Sequence, residues 1–248
     1  MTLFSLITIT RDNLAGLRDT WTSVEAQDCD DYEWVVVDGA STDGTAQWLA
    51  GHPLADWRSV PDAGIYDAMN RGIERARGAW LLFLNAGDAL AGPGVLRGLE
   101  AFIVAQPGAD FVYGDALEEG GFYKPAKPAA AIARGMPTHH QAMLYRRAAL
   151  GTLRYDTRWR LAADYALTAR FLRGGAQAAY WPHAVCVFAP GGVSQQQAAR
   201  ARAEEWAIRR ALGIAGPLGC AIIWLCQALA LAVRRWAPWA YRWARALR

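Results

Sequence analysis

The stretch E-W-V-V-V-D-G-A-S-T-D-G-T, residues 33–45, runs a block of apolar residues straight into a cluster of Asp, Gly, Ser and Thr. Glu33–Val37, three of its residues Val, reads as a strand buried on both faces, closed by a turn at Asp38-Gly39. A short helix over Thr45–Ala50 follows. The same alternation extends to either side. Leu3–Ile9 is a first strand, and Leu14, Leu17, Trp21 and Val24 recur at the spacing of one helix face. Trp57–Val60 is a short strand, and Ile65, Ala68, Met69, Ile73 and Ala76 mark a second amphipathic helix ending near Gly78. Trp80–Leu84 is another buried strand. Strands alternating with helices predict an α/β fold, a mostly parallel central sheet with helices on both faces.

Residues 92–195 are less regular. Val95–Gln106 reads as a helix, Phe111–Asp115 as a strand, and Gly120–Gly135 as a loop rich in Gly, Pro and Ala. Ala142–Tyr145 and Ala178–Phe188 read as strands, with a helix through Ala162–Arg173 between them. No internal repeat is visible.

Composition narrows the class. The chain has 248 residues, 53% hydrophobic, 20% charged, with 12 Trp, which excludes a disordered or low-complexity chain. Its net charge of +3 averages two unlike parts: residues 1–196 hold 17 basic and 21 acidic side chains, residues 197–248 hold 9 and 2. That divides the chain into a main domain, 1–196, and a C-terminal segment, 197–248. Met1–Thr10 has no basic stretch before its apolar run, so it reads as a strand rather than a signal peptide. The scatter of Cys29, Cys186, Cys220 and Cys226 fits a reducing compartment better than a disulfide framework.

In an open α/β sheet, ligands bind beyond the carboxyl ends of the strands. Here those ends carry Thr10-Arg11-Asp12-Asn13, then residues 38–45, then Asp62-Ala63-Gly64, then Asn85-Ala86-Gly87-Asp88. Each cluster alone suits a turn with a helix cap; all of them on one rim suggest a site. Carboxylates and a pyrophosphate repel each other, so a site carrying both calls for Mg²⁺ or Mn²⁺ between them. Strand one is not followed by G-x-G-x-x-G, and no G-x-x-x-x-G-K-[ST] occurs, which disfavours dehydrogenases and P-loop NTPases.

Taken together, V-V-V-D-G-A-S-T-D-G-T (35–45), D-A-G-I-Y-D-A-M-N-R-G (62–72) and L-F-L-N-A-G-D (82–88) resemble the family 2 glycosyltransferases of the GT-A fold. More narrowly, they resemble the bacterial enzymes that build cell-surface polysaccharides. H-H-Q-A-M-L-Y-R (139–146), Y-D-x-x-x-x-L-A-A-D-Y (155–165) and G-G-V-S (191–194) match that subgroup too, so the likeness covers roughly 3–195. It implies an inverting transfer of a sugar from a UDP-, GDP- or dTDP-linked donor to a glycan or lipid-linked acceptor. By the same resemblance, Asp38 hydrogen-bonds the nucleobase, with Thr10 and Arg11 beside it. Asp62 and the stretch from Gly64 to Asn70 line the floor under ribose and diphosphate. Asn85-Ala86-Gly87-Asp88 stands where the family's D-x-D metal motif stands. Asn85 replaces a carboxylate and one residue is added, leaving Asp88 as the acidic ligand.

Asp164 is the candidate catalytic base: it follows an apolar run whose burial would raise its pKa toward that task. Its bland alternative is a first-turn helix Asp stabilised by the dipole, or a partner of Arg158 or Arg160. His140 is a candidate phosphate or acceptor contact, Asp115 is structural or an acceptor contact, and Ser194 belongs to a glycine-hinged lid.

Ala211–Val233 carries no charge and is flanked by arginine pairs, but Gly213, Gly216, Pro217 and Gly219 break its first third. Beyond it, Trp236, Trp239, Trp243 and Leu247 share one side of a helix, with Arg234, Arg235, Arg242, Arg245 and Arg248 opposite. Trp on one face and Arg on the other suits a helix lying in an anionic membrane interface. The expectation is a monotopic anchor at the cytoplasmic face of the inner membrane. A helical hairpin packed on the protein is the alternative. Basic residues gathered on this helix argue against nucleic-acid binding, and the sequence leaves the oligomeric state open. Two other readings are a sugar-nucleotide pyrophosphorylase, whose Gly-rich basic loop after strand one is absent, and a membrane-tethered scaffold with a degenerate nucleotide site.

Overall fold

Alternation along the strands places the core. In β1 (Phe4–Thr10), Phe4 and Leu6 join one apolar cluster, and Ile7 and Ile9 join another on the opposite face. β2 (Tyr32–Asp38) divides Trp34 and Val36 from Val35 in the same way, and β4 (Trp80–Phe83) divides Trp80 and Leu82 from Leu81 and Phe83. A sheet covered on both sides needs apolar residues at every strand position, hence the continuous runs. α1 (Leu14–Glu25) and α4 (Val95–Ala105) cover one face through Leu17, Trp21, Leu96 and Leu99. α3 (Ile65–Arg75) and α6 (Ala163–Arg173) cover the other through Met69, Ile73, Leu167 and Phe171. The computed structural model describes residues 2–118, 121–189 and 197–236, with side chains described up to Leu229.

Among the described residues one nine-stranded sheet runs in the order β3-β2-β1-β4-β8-β6-β9-β5, with β7 on β6. Its members beyond those named are β3 (Ala55–Ser59), β5 (Ala89–Leu90), β6 (Phe111–Glu118), β7 (Phe122–Lys124), β8 (Met143–Arg146) and β9 (Ala178–Phe188). β3, β2, β1 and β4 are mutually parallel, as expected. The other half is mixed: β8 lies antiparallel to both β4 and β6. The chain reaches β8 from β6 through the β7 hairpin and a 3₁₀ turn at Ala129–Arg134, with no crossover helix, so it returns in the opposite direction. The segment read as a loop, 120–135, thus contains a strand and a helical turn.

This reversal positions the site. Register pairs Thr10 with Asp38, and Asp38 with Ser59, at the carboxyl rim of the parallel strands. Because β8 is inverted, its entry segment, the 3₁₀ turn His140–Ala142, lies at that same rim beside the exit of β4.

The expected boundary near 196 falls outside the described residues, as do Ser194 and the Trp/Arg pattern beyond 236. α7 (Ala198–Ala211) nevertheless packs firmly on α6. Its Ile208 is fully buried with Ile132, Ala162, Tyr165, Ala166 and Ala169. Arg209, 2% exposed, donates to the Ala133 carbonyl (2.8 Å) and the Glu205 carboxylate (2.7 Å), and its guanidinium lies over the Tyr165 ring. α8 (Pro217–Trp236) exposes Leu218, Ile222, Leu225 and Leu229, one helical stripe. Among the described residues no helix is long and apolar enough to cross a membrane.

Candidate active site

The rim carboxylates sort into two kinds. Asp12 accepts from the Thr42 amide (2.8 Å), and Asp43 from the amides of Leu14 (2.8 Å) and Thr45 (3.1 Å); together they fasten the loops after β1 and β2 to each other. Asp38 is fully buried. Its oxygens accept from the Ser41 amide and hydroxyl and from the Ser59 hydroxyl (2.5 Å). Asp38 thereby shapes the loop, and the groups gathered beside it are Arg11, Gly39 and Asp62. A Cβ on Gly39 would stand 2.5 Å from Asp62 Oδ2 and 3.3 Å from Arg11 Cβ, so only glycine lets these side chains close over the backbone. Asp62 Oδ1 also accepts from the Gly64 amide (2.8 Å). Gly64, at φ +125°, opens α3 in a conformation that disfavours other residues. Thr10 is buried at the same strand end, its hydroxyl without a partner among the described residues.

Asn70, expected on the floor of the site, also clamps the chain. Its side chain donates to the Tyr155 carbonyl and accepts from the Tyr155 amide, both at 2.9 Å. This holds the 155–164 segment against α3. Arg160, within it, donates to the Ala63 carbonyl (2.6 Å).

Between these parts lies a cavity of about 320 Å³, a volume within the usual ligand-site range. Ile65, Tyr66 and Met69 of α3 form one wall, and Lys124, Pro125, Lys127 and Met136–Gln141 another. Asn85, Arg160, Leu161, Asp164 and Phe188 complete it. Asp164 is the one carboxylate among these lining residues. Both of its hydrogen bonds fall on Oδ1, from Tyr66 Oη (3.2 Å) and the Tyr165 amide (2.8 Å). Oδ2 has no protein partner among the described residues. Burial raises the Asp164 pKa above the ordinary carboxylate value, the two donors oppose that shift, and the Glu204 charge adds to it. The α6 N-terminus at which it sits favours its ionised form.

His140 faces Asn85 across the cavity, Nε2 to Nδ2 at 3.4 Å, and burial lowers its pKa to about 4, so it is neutral near pH 7. Neighbouring His139 is likewise lowered to about 4, by burial first and by Lys124 second; its ring stacks on Phe188. Buried oxygens of Asn85, Thr138 and Gln141 lack partners among the described residues. Native interiors rarely leave such atoms unpaired. Three at one cavity mark it as built to receive polar ligand groups.

The metal expectation fares differently. Asp88 is buried and absent from the cavity wall; its oxygens accept from the Gln141 side chain (2.7 Å) and the Ala189 amide (3.0 Å). It is a strut tying the exit of β4 to the end of β9 and to the turn before β8. Burial raises its pKa. Gly87 has no side chain to offer, and Asn85 offers one neutral oxygen. Among the described residues no group of three or more His, Cys, Asp or Glu is placed to hold an ion. Mg²⁺ or Mn²⁺ bound beside a diphosphate normally takes one or two protein carboxylates. Asp88 is the one carboxylate at the exit of β4 that could serve so, and here both its oxygens are engaged by Gln141 and Ala189. Asp115 is structural as well, accepting from Tyr123, Tyr180 and the Ala126 amide.

Sequence reasoning passed over Tyr66, Thr138 and Gln141, although Tyr66 and Gln141 lie inside the quoted motifs. Arg160 occupies an unspecified position within the motif at 155–165. Glu204 carries no local signal at all.

Comparison with known proteins agrees with this architecture. The family model "Glycosyl transferase family 2" matches residues 5–153. A "PGL/p-HBAD biosynthesis glycosyltransferase" of Mycobacterium bovis is 36% identical over 192 residues, covering 74% of this chain and 75% of that protein. S. aureus TarS in complex with UDP-GlcNAc superposes with a TM-score of 0.67 at 19% identity over 86% of this chain, which spans 66% of that structure's length. The mannosyltransferase PcManGT from Pyrobaculum calidifontis, in complex with GDP-Man and Mn²⁺, gives 0.67 at 21% identity, covering 98% of this chain and 73% of that one. Helices flank a curled, mixed sheet of the GT-A type, and the chain is a glycosyltransferase belonging to glycosyl transferase family 2.

Proposed function

We propose that this glycosyltransferase moves a sugar from a nucleoside diphosphate donor to an acceptor hydroxyl with inversion, in surface glycan synthesis. The acceptor hydroxyl attacks the anomeric carbon, its proton passes to Asp164 Oδ2, and the nucleoside diphosphate departs. The observation that carries this reading is the single cavity carboxylate, with one oxygen held by Tyr66 and the Tyr165 amide and the other left open. A lone carboxylate serves as base for direct displacement; a double displacement would need a second one as nucleophile.

The nucleotide lies along the parallel rim, with Arg11, Gly39 and Asp62 beside the base and Thr10 beneath it. Lys127 and Arg160 on the cavity wall face the leaving diphosphate, and Asn85 and His140 contact the sugar or acceptor. UDP-GlcNAc and GDP-Man in the similar structures support a nucleotide-sugar donor, and the mycobacterial relative supports a biosynthetic role. The apolar stripe of α8, in a C-terminal segment of 9 basic and 2 acidic residues, suits an anionic bilayer surface and a lipid-linked or glycan acceptor at the cytoplasmic face of the inner membrane.

Screening UDP-, GDP- and dTDP-sugars for transfer by membranes containing the protein tests this directly. Transfer from one donor class, with the protein floating with anionic vesicles, is expected. Absence of both transfer and nucleotide binding would overturn it.

A further inference from the structure

The helix that carries Asp164 begins without a cap of its own. Its N-cap residue is Ala162, whose side chain accepts nothing, and the amides around a helix start need partners from outside the helix. Two of these amides find one in α7. Glu204 Oε2 accepts from the Leu161 amide at 2.8 Å and from the Ala162 amide at 3.2 Å, more than forty residues along the chain. Glu204 is itself held in place: Ile208 and Arg209, on the following turn of α7, are locked into the body of the protein, and Arg200 lies 3.9 Å from its other oxygen. The contact therefore fixes the main chain two residues before the base, from a segment lying beyond the family-matched region.

We propose that Glu204 is a positioning residue for the transfer reaction: by capping the start of α6 from α7 it sets where Asp164 stands in the cavity. The C-terminal segment is then part of the catalytic apparatus and not only an attachment. This rests on the reading of Asp164 as the base. A displacement of about 1 Å at a reacting group costs on the order of 100-fold in rate, and an uncapped, partly buried helix start is free to make one. The Glu204 charge also acts on Asp164 through space, raising its pKa after burial has done so. The other titratable groups around Asp164 are Tyr66 from α3, Tyr155, Tyr145 from β8, and Arg160 and His140 on the cavity wall.

Two substitutions in the full-length protein separate capping from charge. Glu204→Ala removes both and is expected to lower kcat by about 10- to 100-fold while the donor KM changes little. Amide hydrogen exchange at Leu161 and Ala162 should accelerate in the same variant. Glu204→Gln keeps an acceptor oxygen, so it should restore slow exchange and most of kcat. With the negative neighbour gone, the acid limb of its kcat–pH profile should move to lower pH. Glu204→Ala with full kcat overturns the proposal, and so does Glu204→Gln that leaves both exchange and rate unrescued. If Glu204→Ala fails to fold, Glu204→Gln that shows fast exchange at Leu161 and Ala162 with full kcat still overturns it. Asp164→Asn, run in parallel, keeps the two claims apart. An active Asp164→Asn removes the base reading itself, whereas an inactive one beside a fully active Glu204→Ala removes only the positioning role.

Discussion

Asp164→Asn is the substitution for which the geometry makes the sharpest demand. Both protein donors to this side chain converge on Oδ1, so the asparagine carbonyl oxygen can replace it without losing either bond. Its amide nitrogen then stands where Oδ2 stood and cannot accept a proton. Losing a general base costs about 10²–10⁴-fold in kcat, or about 2.7–5.4 kcal/mol of barrier at 1.36 kcal/mol per decade. The donor KM should hold, because the proposed nucleotide site lies along the parallel rim, away from Asp164. Stability should move the other way. Burial raises the folded-state pKa of Asp164, so its contribution is fully present below the unfolded carboxylate pKa and is lost as pH rises through the folded one. Asparagine has no such loss. The variant should therefore melt at or above the wild-type temperature at mildly alkaline pH, the comparison turning less in its favour toward acid. Steady-state transfer and calorimetric melting, each followed from about pH 5 to 9, read both effects. Wild-type kcat would refute the base assignment. A lost kcat with a large fall in Tm at alkaline pH would refute the geometry.

Three further outcomes follow from neighbouring contacts. Tyr66→Phe keeps the stacking on Tyr155 but removes the donor to Asp164, so the acid limb of kcat should move to higher pH with the donor KM unchanged; a fixed limb would discount that hydrogen bond. Asp88→Ala strands the Gln141 side chain and the Ala189 amide, which costs about 1–3 kcal/mol, at roughly 2–4 °C of Tm per kcal/mol. If it instead abolished an Mn²⁺-dependent part of nucleotide affinity without lowering Tm, Asp88 would be a ligand after all. Gly39→Ala drives a Cβ into Asp62 and Arg11, so calorimetric nucleotide affinity should fall about tenfold or more, 1.4 kcal/mol per decade, with Tm nearly unchanged. Unaltered affinity would move the nucleobase elsewhere.

The parallel half of the fold was legible because β1, β2 and β4 are buried on both faces and announce themselves as unbroken apolar runs. The antiparallel return of β8 was not, since Ala142–Tyr145 looks the same in either direction and its sense is set by the missing crossover helix. Candidate residues divided along a similar line. Asp38, Asp88 and Asp164 are alike in local sequence, each at the edge of an apolar run. Their surroundings differ because Ser59, Gln141 and Ala189 arrive from distant parts of the chain to bond the first two, while Tyr66 and the Tyr165 amide leave one oxygen of the third open. Asn70 was read as a ligand contact because its motif borders the site; the backbone it binds at Tyr155 lies 85 residues away. Glu204 sits in a segment whose Arg-rich, Trp-bearing composition speaks of membranes and says nothing of helix capping.

Because Asp164 is the single carboxylate lining the cavity among the described residues, the stereochemistry of the product tests the account at its centre. With an α-linked nucleotide sugar as donor, NMR of the anomeric proton in the isolated product should show a β-linkage, formed by one direct displacement assisted by Asp164. A retained α-linkage would contradict it, since retention requires a second nucleophilic group or a different reaction course at this site.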